Sequence, residues 1–384
     1  MKKKVVSMLM SALMLSMSLC ACGEKDAFVE EQVVVDVPTD EAEIDTPAVE
    51  AEPEVVIEAA PEVEVEAEAE TETEVETEAE VSYEDVTIKV GYMPNYGSLW
   101  SVRSAMEQKL FDDGVTIELV EFPDGPSIIS ELQAGNLDVG YVGQGAHKVV
   151  INEGLKIFAL SHVANADMII SAGEVTDLFG LDGKKVGYVP DTSSQAILEA
   201  ALASEGLSMD SITAMTLEDC GTETFAEALS NGVVDAVAVW SPESLSILET
   251  VEGATELADN MSVPDMPISL SSWICTADYA EKNLETLTRF ADGLFKGMSY
   301  AAKENHEDVA AWVAETTGGT AEEVYNQRGD ADWYTAEGIV EAVESGSVES
   351  FYMMQQEGFV ASGDVTETPV SDYVMLDFMA EVAK

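Results

Sequence analysis

From Val86 onward the chain repeats one phrase: a short apolar, β-branched run, a turn rich in Gly, Pro, Asn, Asp or Ser, and a stretch with helical period. The first run is Val86-Thr87-Ile88-Lys89-Val90-Gly91-Tyr92, followed by the turn Pro94-Asn95-Tyr96-Gly97-Ser98 and a helix to about residue 110. Val115-Thr116-Ile117-Glu118-Leu119-Val120 leads through Pro123-Asp124-Gly125 to a helix over 126–134. Leu137-Asp138-Val139-Gly140-Tyr141-Val142 then reaches the turn Gly143-Gln144-Gly145 and another helix. Strands separated by helices cannot pair as hairpins, so they predict a parallel, doubly wound α/β sheet.

The rhythm then restarts. Lys185-Val186-Gly187-Tyr188-Val189 is a strand, Thr192-Ser193-Ser194 caps a helix over 195–205, and Val237-Ala238-Val239-Trp240 closes a later strand. Residues 130–140 and 226–237 share a pattern in which a helix stops at Gly135 or Gly232, each suited to a left-handed C-cap, and drops directly into a buried strand. Two α/β lobes around a cleft are therefore expected: lobe 1 over about 83–182 plus 270–384, lobe 2 over about 183–269. Such lobes bind ligands at the carboxyl ends of their strands, where helix N-termini offer unpaired N–H groups. The candidate ligand-binding residues are Asn95, Tyr96, Trp100, Gly143, Gln144, Asn165, Thr192, Ser193, Ser194, Trp240 and Glu243. Several have plainer readings: Thr192 to Ser194 as helix caps, Trp240 as core, Tyr96 and Trp100 as core or surface aromatics. Arg103 is expected to pair with a carboxylate, and Asp124 and Asp138 to be structural.

The residues before this domain follow other rules. Lys2, Lys3 and Lys4 precede an apolar run of about 15 residues, short for a membrane span and suited to an export signal. Leu19-Cys20-Ala21-Cys22-Gly23 resembles a bacterial lipobox, which places acylation on Cys22 rather than Cys20 and makes 1–22 a lipoprotein signal. Residues 24–82 hold 23 acids and one base, with Glu at every even position from 62 to 80. Ten carboxylates on one face of a lone strand would repel one another, so 23–82 is expected to be a disordered, extended tether. Residues 83–384 carry 52 acids against 13 bases, a net −39 that leaves no basic face for nucleic acid. His147, His162 and His306 are the only histidines and no C-x-x-C or H-x-x-x-H occurs, so no metal or other cofactor is expected. Without a G-x-S-x-G or a phosphate-cradling loop the chain does not read as an enzyme. Cys220 and Cys275 are read as unpaired thiols.

Phe122-Pro123-Asp124-Gly125-Pro126, Ala134-Gly135-x-x-Asp138 with Val142-Gly143, Asp191-Thr192-Ser193-Ser194 and Trp240-Ser241-Pro242-Glu243 occur in this order, followed by residues 273–283 leading into a long helix. Together, over roughly 86–315, they resemble the nitrate/sulfonate/taurine group of ABC-transporter substrate-binding proteins. The resemblance implies a type II periplasmic-binding fold, a small anion (sulfonate, taurine or nitrate) held between the lobes, delivery to a permease, and a monomer lipid-anchored to the outer face of the bacterial cytoplasmic membrane. Two departures bear on the ligand: Ser241 stands where that group commonly has an acid after the strand-terminal Trp, and Gln144-Gly145-Ala146-His147 replaces its usual small turn. The alternative ligand is a thiamine-precursor pyrimidine or other amine-bearing heterocycle, stacked on Tyr96, Trp100 or Trp240 with Glu243 accepting from the amine. A thiamine-pyrimidine-forming enzyme on the same scaffold is disfavoured, because no His- and Cys-bearing centre is evident. Residues 330–334 are expected to pack against the first lobe.

Overall fold

A computed structural model describes residues 84–384 apart from 265 and 267. The expected signal, the Cys22 lipidation site and the acidic tether lie outside the described residues. In chain order the strands are β1 (Val86–Tyr92), β2 (Val115–Glu121), β3 (Val139–Val142), β4 (Lys156–Ala164), β5 (Asp167–Ala172), β6 (Lys185–Gly187), β7 (Thr213–Met215), β8 (Ala236–Trp240), β9 (Ala254–Asp259), β10 (Leu270–Cys275) and β11 (Ala331–Trp333). They form two sheets, ordered β11-β4-β10-β3-β1-β2 and β7-β6-β8-β5-β9.

Each sheet has a parallel centre entered by one antiparallel strand that arrives from the other. β1 pairs in parallel with β2 and β3, and β10 runs antiparallel between β3 and β4. In the second sheet β6 pairs in parallel with β7 and β8, while β5 runs antiparallel between β8 and β9. The chain crosses between sheets at 165–166 and again between β9 and β10. Because β5 pairs with β8 and β9, residues 167–172 belong to lobe 2, which corrects the sequence-based change of lobe near 182. The sequence signal failed there because β5 follows β4 directly, without the helix that separates the parallel strands.

Local chemistry explains the helices that carry the site. Asn95 caps Tyr96–Glu107 by accepting from Ser98 N, and Asp124 caps Gly125–Gln133 by accepting from Ser127 N. Asp138 Oδ2 accepts from Lys89 N (2.8 Å), a structural role as expected, and Arg103 pairs with Glu107 at 2.7 Å. The first lobe's core runs from Ile88 and Val90 through Trp273 and Ile274 to Phe290, Leu294 and Phe295 on the long helix Leu284–Ala301. Lobe 2 has separate cores on the two faces of its sheet, around Ile169 and Leu198 and around Phe225 and Val237. Cys220 and Cys275 are free thiols, the latter buried.

Candidate functional site

A cavity of about 60 Å³ lies where the strand ends of both sheets meet. That is several times the roughly 10–15 Å³ that seats one water, and it suits a compact solute. Asn95, Gly143, Gln144, Thr192, Ser193 and Trp240, all named from sequence, line it. Its walls also include Tyr141, His162, Asp167, Ser241, Ser271, Gln327, Asp330 and Trp333.

The lobe 1 side is built from two strand exits and a late insertion. Asn95 Oδ1 accepts from Ser98 N at 2.8 Å, and Gln327 Oε1 accepts from Tyr96 N at 2.9 Å. With both carbonyl oxygens used by the backbone, the two side-chain NH₂ groups are the ends left to face the cavity. After β3, Gly143 leads without a side-chain cap into the turn Gln144–Ala146. Gln144 is 2% exposed, and its Oε1 has no hydrogen-bond partner. β11 pairs with β4 and sets Trp333 against His162, with ring centroids 4.7 Å apart. Residues 330–334 thus pack on the first lobe as expected, and Asp330 and Trp333 also wall the cavity.

On the lobe 2 side, Thr192 is the N-cap residue of Ser193–Ser204, yet its hydroxyl donates to Val189 O (2.7 Å) and leaves the first-turn amides uncapped by any side chain. Asp167, at the start of β5, is 1% exposed. Its Oδ2 accepts from Asn260 Nδ2 (3.2 Å), and its N–H donates to Asn260 Oδ1 (2.8 Å). Asp167 and Asn260 thereby tie the two crossing segments together.

Five sequence candidates fall outside the cavity lining. Tyr96 and Trp100 are fully buried one layer back, where both rings pack on Trp333 (centroids 5.3 and 4.8 Å) and Trp100 Nε1 donates to Ser161 Oγ. Their positions in the helix turn them into the core, the plainer reading. Ser194 Oγ accepts from Val189 N and donates to Ala238 O (2.6 Å), tying the exits of β6 and β8. Glu243 Oε1 accepts from Phe225 N (2.8 Å), so it caps the helix Phe225–Ser230 instead of reaching a ligand. Asn165 donates its N–H to Asp330 O (2.7 Å), and its buried Oδ1 is unpartnered. The acids that do line the cavity, Asp167 and Asp330, were missed because they sit at a crossing and beside a C-terminal strand, not at strand-to-helix turns. The one available signal for Asp330 was its place beside Trp333.

Burial sets the electrostatics. It pushes Asp167 up to about 6, partly offset by Ser193 and Asn260. It pushes Asp330 up to about 7, offset in part by Ser241 and reinforced by the nearby charge of Asp167. Burial lowers His162 to about 3, so the ring is neutral, and its nitrogens face Ser161 Oγ (3.0 Å) and Tyr141 OH (3.3 Å). No Lys or Arg is among the residues lining the cavity.

The lobes touch directly over this site. A Cβ placed on Gly145 of lobe 1 would lie 2.1 Å from the carbonyl carbon and oxygen of Thr192 in lobe 2. Lys148 Nζ reaches Asp191 Oδ1 at 2.8 Å, with Asp364 Oδ2 at 3.9 Å.

A family model described as NMT1/THI5 like matches residues 107–308, just over half of the chain. The chain belongs to the NMT1/THI5-like family. Among relatives of this NMT1/THI5-like chain, a protein of Brucella abortus named as a binding protein is 26% identical over 301 residues, covering 77% of this chain and 92% of that one. An Escherichia coli protein named as aliphatic sulfonates-binding is 26% identical over 60% of this chain and 72% of its own length. The alkanesulfonate-binding protein of Xanthomonas axonopodis pv. citri, solved bound to MOPS, superposes with a TM-score of 0.58 at 19% identity, over 76% of this chain and 99% of that one. The two-lobed fold is therefore that of periplasmic binding proteins.

Proposed function

We propose that this chain is the extracytoplasmic solute-binding component of an ABC importer, which encloses a small solute of the sulfonate class between its lobes and presents it to a membrane permease. The observation that carries this reading is the cavity at the strand ends of two lobes in direct contact. The Asn95 and Gln327 amides and the uncapped first turn at Ser193 supply donors for an oxyanion without a formal cation. The two crossings, held by Asp167 and Asn260, are where the lobes would hinge. The sulfonate-binding relatives support the ligand class.

Binding without catalysis accounts for the same residues. His162 is the one histidine lining the cavity; it is neutral and engaged at both nitrogens, and Cys275 is absent from the wall. An amine-bearing heterocycle is the second reading, favoured by the aromatic surfaces of Tyr141, Trp240 and Trp333.

Thermal unfolding of the chain with taurine, alkanesulfonates, nitrate and pyrimidine thiamine precursors tests the choice. A true ligand at a hundred times its Kd stabilises the folded state by about 2.7 kcal/mol, so a midpoint that rises with sulfonates supports the first reading and one that rises only with pyrimidines overturns it. Lipid anchoring at Cys22 keeps the monomer beside its permease. Cys22→Ala is expected to move the protein from the membrane fraction to the medium, and retention in the membrane would refute the anchor.

A further inference from the structure

We infer that an anionic solute enters the interlobe cavity together with one proton from solvent, and that the proton comes to rest on the carboxyl pair of Asp330 in lobe 1 and Asp167 in lobe 2, Asp330 foremost. The inference rests on the solute-binding reading above and adds how the same site balances its charge.

The lining holds two carboxyls and neither Lys nor Arg. A sulfonate or nitrate is the anion of a strong acid and stays ionised at neutral pH, so it brings no proton of its own. Enclosing it beside ionised carboxylates, with no cation to answer it, carries a desolvation and repulsion cost that side-chain amides and a helix first turn offset only in part. Protonating one carboxyl removes the repulsion. It also turns an acceptor-only group into one with an O–H to donate, which is what an oxyanion requires.

The two acids are not equivalent. Asp167 is the better held as an anion, because Asn260 Nδ2 donates to its Oδ2 (3.2 Å) and the Ser193 hydroxyl bonds it as well. Asp330 has the Ser241 hydroxyl, which reaches it from lobe 2, and it feels the charge of Asp167. Its backbone is fixed at the first crossing, where its carbonyl accepts from Asn165 N–H (2.7 Å). The Asp330 residue thus joins the crossing, the opposite lobe and the cavity, which couples its protonation to closure. The other titratable groups around it do not take the proton. Burial keeps His162 on β4 neutral and keeps the phenol of Tyr141 on β3 protonated. Arg328 lies over the Tyr325 ring and donates to Tyr325 O, and Asp332 is exposed. With Asp330 pushed up to about 7, anion affinity should be level below that pH and fall about tenfold per pH unit above it.

Calorimetric titration of the chain with ethanesulfonate and with nitrate, repeated in phosphate and in Tris, counts the protons exchanged, because the two buffers differ in ionisation enthalpy. Uptake of about one proton per bound anion at pH 8, fading by pH 5 and lost in Asp330→Asn together with the pH dependence of affinity, supports the inference. Anion binding at pH 8 with no proton exchanged, or uptake unchanged in the variant, overturns it and leaves the importer reading standing. Silence with both anions overturns the anion reading and the inference with it. Carbon-13 NMR of the aspartate carboxyls in the ligand-free protein needs neither a solute nor a variant that folds: Asp330 titrating near pH 7 supports the inference, and titration in the ordinary carboxylate range overturns the proton site alone.

Discussion

Asp167 holds a carboxyl almost out of contact with water, and Asp330 adds a second acid across the same space. Both have folded pKa values above the unfolded range, so each favours the ligand-free closed state when protonated. That contribution is complete below about pH 4 and is lost as pH rises through about 6 for Asp167 and about 7 for Asp330. The other titratable groups lining the cavity do not change charge across this window: burial holds His162 near 3 and raises Tyr141. Ligand-free protein should therefore lose stability between pH 5 and 8, and Asp330→Asn should flatten the loss by an amount on the order of 2 kcal/mol. Chemical unfolding of both forms at the two pH values measures this. An unchanged slope in the variant would show that Asp330 is well solvated and carries no such penalty.

The turn Gln144–Ala146 shows how an element can matter through what it lacks. At Gly145 the missing Cβ permits backbone contact between lobes, and Gly145→Ala should block closure while leaving each lobe folded. Solute affinity is expected to fall at least tenfold with little change in circular dichroism, and a variant that binds normally would mean that the Thr192 contact is dispensable. Elements of this kind were readable in the residues: the strand–turn–helix alternation placed Asn95, Gly143, Gln144, Thr192, Ser193 and Trp240 at the ends of strands, and all six line the cavity. The alternation said nothing of β5, β10 or β11, which meet their sheets by long-range antiparallel pairing. It missed Asp167, Asp330 and Trp333 for that reason. Tyr96 and Trp100 failed differently, since loop proximity cannot reveal which way a helical side chain turns.

Across the whole molecule, lobe 2 is one continuous stretch from β5 to β9, while lobe 1 is assembled from chain on either side of it. The closed arrangement is held by short reach: Lys148 spans the boundary to Asp191, and Asn165 connects the first crossing to Asp330. The net −39 of residues 83–384 acts over longer range, but it is screened within about 8 Å at physiological salt, so donors lining the cavity dominate once a solute is inside. The position of β10 between β3 and β4 also sets when the first sheet can be completed. As the chain emerges from its N-terminus, lobe 2 can complete its sheet first, while β3 and β4 have no strand to bridge them until Cys275 has appeared. The first lobe's sheet thus stays unfinished through most of synthesis and closes only when a strand returning from the second lobe slots into its middle.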